Sequence, residues 1–123
     1  MAEFITSIKD QNNVSVVYLK GYLDAHTAPV LENAFSDLID KGKYNIIANF
    51  KDLAYISSAG LGVFMAYIEK IRENSGDIKL TDMSEKVYNI FDLLGFPLLY
   101  EIYNSEEEAV KKYVENKDIE NRK

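Results

Sequence analysis

The side chains of this 123-residue chain that are equipped for chemistry converge on one stretch, Ile56-Ser57-Ser58-Ala59-Gly60-Leu61-Gly62. Two hydroxyls stand side by side there, followed by two glycines. Upstream, residues 44–50 form a run rich in isoleucine and aromatics that reads as a strand; downstream, Leu61, Phe64, Ile68 and Ile71 recur at helical spacing. The serines therefore fall where a strand hands over to a helix. At the start of a helix, unpaired backbone N–H groups and the positive end of the macrodipole favour an anion. A serine in that place can cap the helix, and a phosphoserine would find its charge met.

A nucleophilic role for Ser58 needs a base and an oxyanion site. The single histidine is His26, and Asp24 stands only two residues from it in one short turn. No oxyanion motif is visible, and residue 56 is isoleucine where the G-x-S-x-G elbow requires glycine. A serine hydrolase using Ser58 and His26 is thus the third reading, behind two non-enzymatic ones, and His26 reads as a surface residue. Gly60-Leu61-Gly62-Val63-Phe64-Met65 lacks the third glycine of a dinucleotide fingerprint, and no Gly-Lys-Ser/Thr of a P-loop occurs. No cofactor is expected. With no cysteine and one histidine, neither a disulfide nor a transition-metal site is expected. The two glycines leave two accounts open, since each costs a helix up to about 1 kcal/mol against alanine. Either the helix packs closely on its sheet there, or the backbone of another molecule comes close.

Positioning these residues takes a series of flanking elements. Phe4 to Lys9 and Val14 to Leu19 read as strands joined by the tight turn Asp10-Gln11-Asn12-Asn13. Gly21-Tyr22-Leu23-Asp24 then leads to Thr27-Ala28-Pro29, a hydroxyl cap and proline that open a helix. Its inward face is Val30, Leu31, Ala34, Phe35, Leu38 and Ile39, and Gly42 ends it. After the strand at 44–50, the helix that begins at the serines runs to about Asn74. Ile78 to Thr81 is a strand, and Ser84 caps a helix with Val87, Ile90, Phe91 and Leu94 inward, stopped by Gly95 and Pro97. Leu98 to Ile102 is the last strand. Ser105-Glu106-Glu107-Glu108 is a capping box, with Ala109, Val110, Tyr113 and Val114 inward. The charged stretch from Glu115 to Lys123 reads as a frayed tail following a domain at 1–114. The nine tyrosines read as core and rim.

The order ββαβαβαβα predicts one α/β domain with a mostly parallel sheet, an N-terminal hairpin and four helices. If the second and third strands are parallel, the segments after them emerge at one sheet edge, where open α/β folds carry their sites. Asp24, His26 and Thr27 should then neighbour Ser57 and Ser58. Composition agrees with a globular domain, at 47% hydrophobic and 28% charged residues. A net charge of −6 and the lack of a basic stripe argue against nucleic acid as a partner. No segment approaches the roughly 20 apolar residues of a membrane span, and residues 1–6 show no signal-peptide pattern. No membrane insertion is expected, and the cytoplasm is the expected location.

Gly21-Tyr22-Leu23-Asp24, Asp52-Leu53, Ile56-Ser57-Ser58-Ala59-Gly60-Leu61-Gly62-Val63 and the turn Leu94-Gly95-Phe96 together resemble the STAS domain of bacterial anti-sigma factor antagonists, over about residues 3 to 114. The resemblance implies a STAS-like fold and no enzymatic activity. It implies binding to an anti-sigma factor that is also an ATP-dependent serine kinase, which frees the sigma factor. Phosphorylation of a serine at the junction would end the binding, and a phosphatase would restore it. On this resemblance the acceptor falls on Ser58, and the partner-binding surface on Asp24, His26, Thr27, Ser57, Ser58, Ala59, Gly60, Leu61 and Gly62. The family pattern places an aspartate where this chain has Ser57, which makes Ser57 an alternative acceptor. The second reading is a STAS subunit that is never phosphorylated and docks in a transporter or a stress-signalling complex.

Overall fold

The structure, a computed structural model, describes residues 3–95 and 99–121. Five strands, β1 (Phe4–Gln11), β2 (Val14–Leu23), β3 (Asn45–Ile56), β4 (Asp77–Thr81) and β5 (Ile102–Tyr103), lie in that spatial order in one sheet. Among the described residues four helices alternate with them: α1 (Ala28–Asp40), α2 (Ser58–Glu73), α3 (Glu85–Leu93) and α4 (Glu106–Asn121). β1 and β2 pair antiparallel, and every other neighbouring pair is parallel. The hairpin turns on Asn12 and Asn13, both left-handed at φ 52° and 62°, a conformation asparagine tolerates and two-residue hairpins need.

β3 lies at the centre of the sheet. Residues 46–50 are all buried, Ile46, Ala48 and Phe50 towards one layer and Ile47 towards the other. This is the continuous apolar reading of a strand covered on both faces. On one face α1, α2 and α3 enclose the main core. Phe64 of α2 is its hub, with ring centroids 5.5 Å from Phe35, 5.6 Å from Phe50 and 6.4 Å from Phe91. Leu61, Ile68 and Ile71 hold the same helix face inward, so α2 is fixed along its length.

The other face carries α4 and is partly polar. Asn49, Lys79 and Thr81 are buried there among Val14, Val16, Ile47, Ala109, Val110 and Tyr113. Lys79 is 2% exposed; its ammonium donates to Glu101 at 2.9 Å and lies 4.7 Å from the Tyr113 ring centroid. The Tyr113 hydroxyl lies 2.6 Å from the Ile46 carbonyl and 2.7 Å from the Asp77 carbonyl, and accepts from the Ile46 N–H at 3.2 Å. It ties α4 to β3 and β4 together. The hydroxyl of Tyr103, and after it Lys79, hold the Glu101 carboxyl below the usual carboxylate range. A depressed carboxylate stabilises the fold above its ordinary pKa, and that contribution is lost as pH falls through the lowered value.

Several elements depart from the sequence expectation. β2 and β3 run on to Leu23 and Ile56, through register shifts at Tyr18/Lys20 and Gly21/Tyr22 that hide the continuation from simple periodicity. Gly21, at φ 105°, lies so close to the Glu3 carbonyl that a Cβ would collide with it. β5 is only Ile102–Tyr103; the expected start at Leu98, with Phe96 and Pro97, lies outside the described residues. Val30, Leu94 and Val114, expected inward, are 39%, 51% and 38% exposed because each sits at the margin of its helix's apolar stripe or at its end. α4 continues through the charged stretch to Asn121, a segment with no glycine or proline and with Glu107–Lys111 and Lys112–Glu115 pairs on its surface.

Replacing Tyr113 by phenylalanine removes one hydroxyl from a buried junction of three backbone groups. The cost should be about 1–3 kcal/mol of unfolding free energy by chemical denaturation, with the main core unaffected.

Candidate functional site at the carboxyl edge of β2 and β3

Leu23 lies beside Ile56 in the parallel register of β2 and β3, so the segments that follow both strands leave the same edge. Both side chains are fully buried, and the Ser57 N–H donates to the Leu23 carbonyl at 2.9 Å. That bond stitches the two segments together. Ser57 is extended, at φ −98° and ψ 173°, and its Oγ accepts from the Gly60 N–H at 3.3 Å. Ser57, not Ser58, is therefore the helix cap: the extended backbone aims its oxygen at the third helical N–H. Ser58 is the first residue inside α2, is exposed, and its hydroxyl has no partner among the described residues. The first turn of α2 contains no acidic side chain, leaving the positive end of the helix uncompensated from within.

The segment after Leu23 is a compact hydrogen-bonded turn. Oδ1 of Asp24 accepts from the backbone N–H groups of His26 at 2.9 Å and Thr27 at 3.1 Å. The Thr27 hydroxyl donates to the Tyr22 carbonyl at 2.7 Å and accepts from the Asp24 N–H at 2.9 Å. The Asp24 carbonyl receives the Ala28 N–H at 2.8 Å. Thr27 thus does not cap α1 through its side chain as the sequence suggested; its backbone is αR, and its hydroxyl braces the turn instead. Asp24 and Thr27 are half-buried and His26 is exposed. Asp24 binds the His26 backbone and not its ring, so the relay a serine hydrolase needs is not assembled.

The two glycines have different reasons. A Cβ on Gly60 would stand 2.7 Å from the Leu23 Cγ and 3.0 Å from the Leu23 carbonyl oxygen, so this glycine lets α2 pack against the end of β2. A Cβ on Gly62 would meet nothing within 4 Å. Gly62 is exposed one turn after Ser58, beside exposed Ala59 and Met65, while Leu61 is buried in the core. Leu23, whose carbonyl and side chain join the two segments, was missed at the sequence level, as was the exposed pair Tyr22 and Tyr55, whose ring centroids are 6.0 Å apart. Their positions two residues before Asp24 and Ser57 are the only sequence signal of that pairing.

Fold and edge together define a small α/β domain whose exposed feature is a serine at the head of a rigidly docked helix. A profile of the STAS domain matches residues 6–109. The anti-sigma-B factor antagonist of Bacillus subtilis (strain 168) is 30% identical over 104 residues, covering 85% of this chain and 94% of that protein. An anti-sigma factor antagonist from Mycobacterium paratuberculosis superposes with a TM-score of 0.82 at 23% identity, over 89% of this chain and 93% of the other. The anti-sigma factor antagonist SpoIIAA in its unphosphorylated form gives 0.75 at 24% identity, over 88% and 95%. Bacillus SpoIIAA in its phosphorylated form gives 0.67 at 24% identity, over 88% and 98%. The chain belongs to the STAS domain family, and like these relatives it is a regulatory binding domain rather than an enzyme.

The contrast between the glycines is measurable. Gly60→Ala should lower stability by about 1–3 kcal/mol, because Leu23 and the β2 end must move. Gly62→Ala should raise it by about 0.5–1 kcal/mol, since an open helical position gains only propensity. Thermal or denaturant unfolding of the two variants checks both signs.

Proposed function

We propose that this chain is an anti-sigma factor antagonist. In the unphosphorylated state it binds an anti-sigma factor with serine-kinase activity through Asp24, His26, Thr27 and residues 57–62, and phosphorylation of Ser58 by that kinase ends the binding. Sigma-factor-dependent transcription is the process regulated, a phosphatase resets the switch, and the site of action is the cytoplasm. Among the described residues, no helix is long and apolar enough to cross a membrane. The observation that carries the reading is the division of labour between the serines: Ser57 is held as cap, while Ser58 is exposed at the helix head, its hydroxyl without a partner among the described residues.

The physics of that position suits a switch. A phosphate adds about −1.5 to −2 charges and three acceptor oxygens. The first turn of α2 carries no acidic side chain, and the helix end offsets part of this charge by about 0.3–1 kcal/mol, so the modified domain stays folded. SpoIIAA, solved in both forms, is a fold of this type that carries both states. A partner surface built around a neutral hydroxyl would have to desolvate the dianion, and losing a few kcal/mol weakens binding about a hundredfold. Asp24 on the adjoining turn makes the patch more negative still.

Incubation with ATP and an anti-sigma factor kinase from the same cells, followed by intact mass, tests this. Wild type and Ser57→Ala should each gain one phosphate and Ser58→Ala none, and the phosphorylated form should bind that kinase about a hundredfold more weakly. Phosphate on Ser58→Ala, or equal affinity of the two forms, would refute the switch. Stable binding without phosphate transfer would favour a STAS subunit of a transporter or stress-signalling assembly.

A further inference from the structure

We propose that Asp24 works at this edge as a positioning residue: its side chain fixes the turn that holds Ser57, and through Ser57 it sets the pose of Ser58. The inference rests on the kinase-docking reading above for its consequence, but not for its geometry. The carboxylate oxygen Oδ1 gathers two backbone N–H groups, those of His26 and Thr27, at 2.9 and 3.1 Å. These bonds close the turn immediately after Leu23. The Leu23 carbonyl holds the Ser57 N–H at 2.9 Å, and the Leu23 side chain stands where Gly60 leaves no room for a Cβ.

Any shift of the turn therefore reaches both ends of the Ser57–Gly60 cap. Leu23 is fully buried, its Cγ only 2.7 Å from where a Cβ on Gly60 would stand, and close-packed interiors transmit such shifts. Thr27 braces the same turn from the other side, its hydroxyl joining the Tyr22 carbonyl to the Asp24 N–H. What this geometry uses is an acceptor oxygen at Oδ1 and not a negative charge, and the Oδ1 of an asparagine supplies the same acceptor. The turn is an order-giving contact for the phosphoacceptor, distinct from a charge that a partner would read directly.

The test has two readouts. In the free protein, Asp24→Ala should speed amide hydrogen exchange at Ser57 and Gly60 by about tenfold, with Asp24→Asn restoring wild-type protection and core amides of β3 unchanged in both. In kinase assays with the anti-sigma factor kinase and ATP, Asp24→Ala should raise KM for the protein substrate about tenfold, with kcat nearly unchanged, and Asp24→Asn should recover most of that loss, the remainder being the charge at the docking surface. If Asp24→Ala does not fold, Thr27→Val, paired with Thr27→Ser as its conservative control, carries the same comparison. Unchanged exchange at Ser57 in Asp24→Ala, or Asp24→Asn as impaired as Asp24→Ala, would overturn the proposal. Should wild type accept no phosphate at all, the docking reading fails, and the exchange data alone decide the positioning role.

Discussion

The structure depends first on the parallel register of β2 and β3, and at its end on one hydrogen bond, from the Ser57 N–H to the Leu23 carbonyl. Parallel pairing makes both strands deliver their following segments to a single edge. The bond then joins an Asp24-centred turn to the cap of α2, so that two segments separated by a helix and a strand in sequence behave as one surface. Gly60 is part of the same joint, because only a residue without a Cβ lets α2 begin so close to Leu23. Ser58 is exposed as a consequence: its neighbour has taken the capping role, and the rest of the helix is locked into the core by Leu61 and Phe64.

The two faces of the sheet divide stability from presentation. The face under α1, α2 and α3 is a continuous apolar layer with an aromatic hub, which holds α2 and hence the edge rigid. The face under α4 contains a buried lysine, an asparagine and a tyrosine hydroxyl bridging three backbone groups. Polar networks of that kind add little net stability but penalise misplacement of the helix strongly, because a partly satisfied network leaves buried groups unpaired. Neither arrangement involves the exposed hydroxyl. A charge added at Ser58 therefore has little leverage on the fold beneath.

The sequence disclosed the architecture well, for identifiable reasons. Strong helical periodicity in residues 61–71, capping signals at Ser84 and Ser105, and the asparagine-rich hairpin turn specify type and order of element with little competition from tertiary contacts. The edge was legible as a place but not as a mechanism. Ser57 and Ser58 are chemically alike, and only the backbone angles decide which one caps. Thr27 before proline looks like an ordinary cap, and the tertiary turn redirects its hydroxyl to Tyr22. The part Leu23 plays in joining the two segments was invisible because its contribution is a carbonyl, which every residue has. The continuations of β2 and β3 were hidden by register shifts that break the alternation of burial.

The central claim is that one sheet edge, formed by the turn after β2 and the head of α2, is the surface a kinase anti-sigma factor covers and that phosphate on Ser58 denies. Hydrogen–deuterium exchange of the chain with and without that partner tests it most directly. The account predicts protection at residues 23–27 and 57–62 in the unphosphorylated complex, and its disappearance when Ser58 carries phosphate. Protection centred on α4, or a footprint at the edge that persists with the phosphorylated chain, would contradict it.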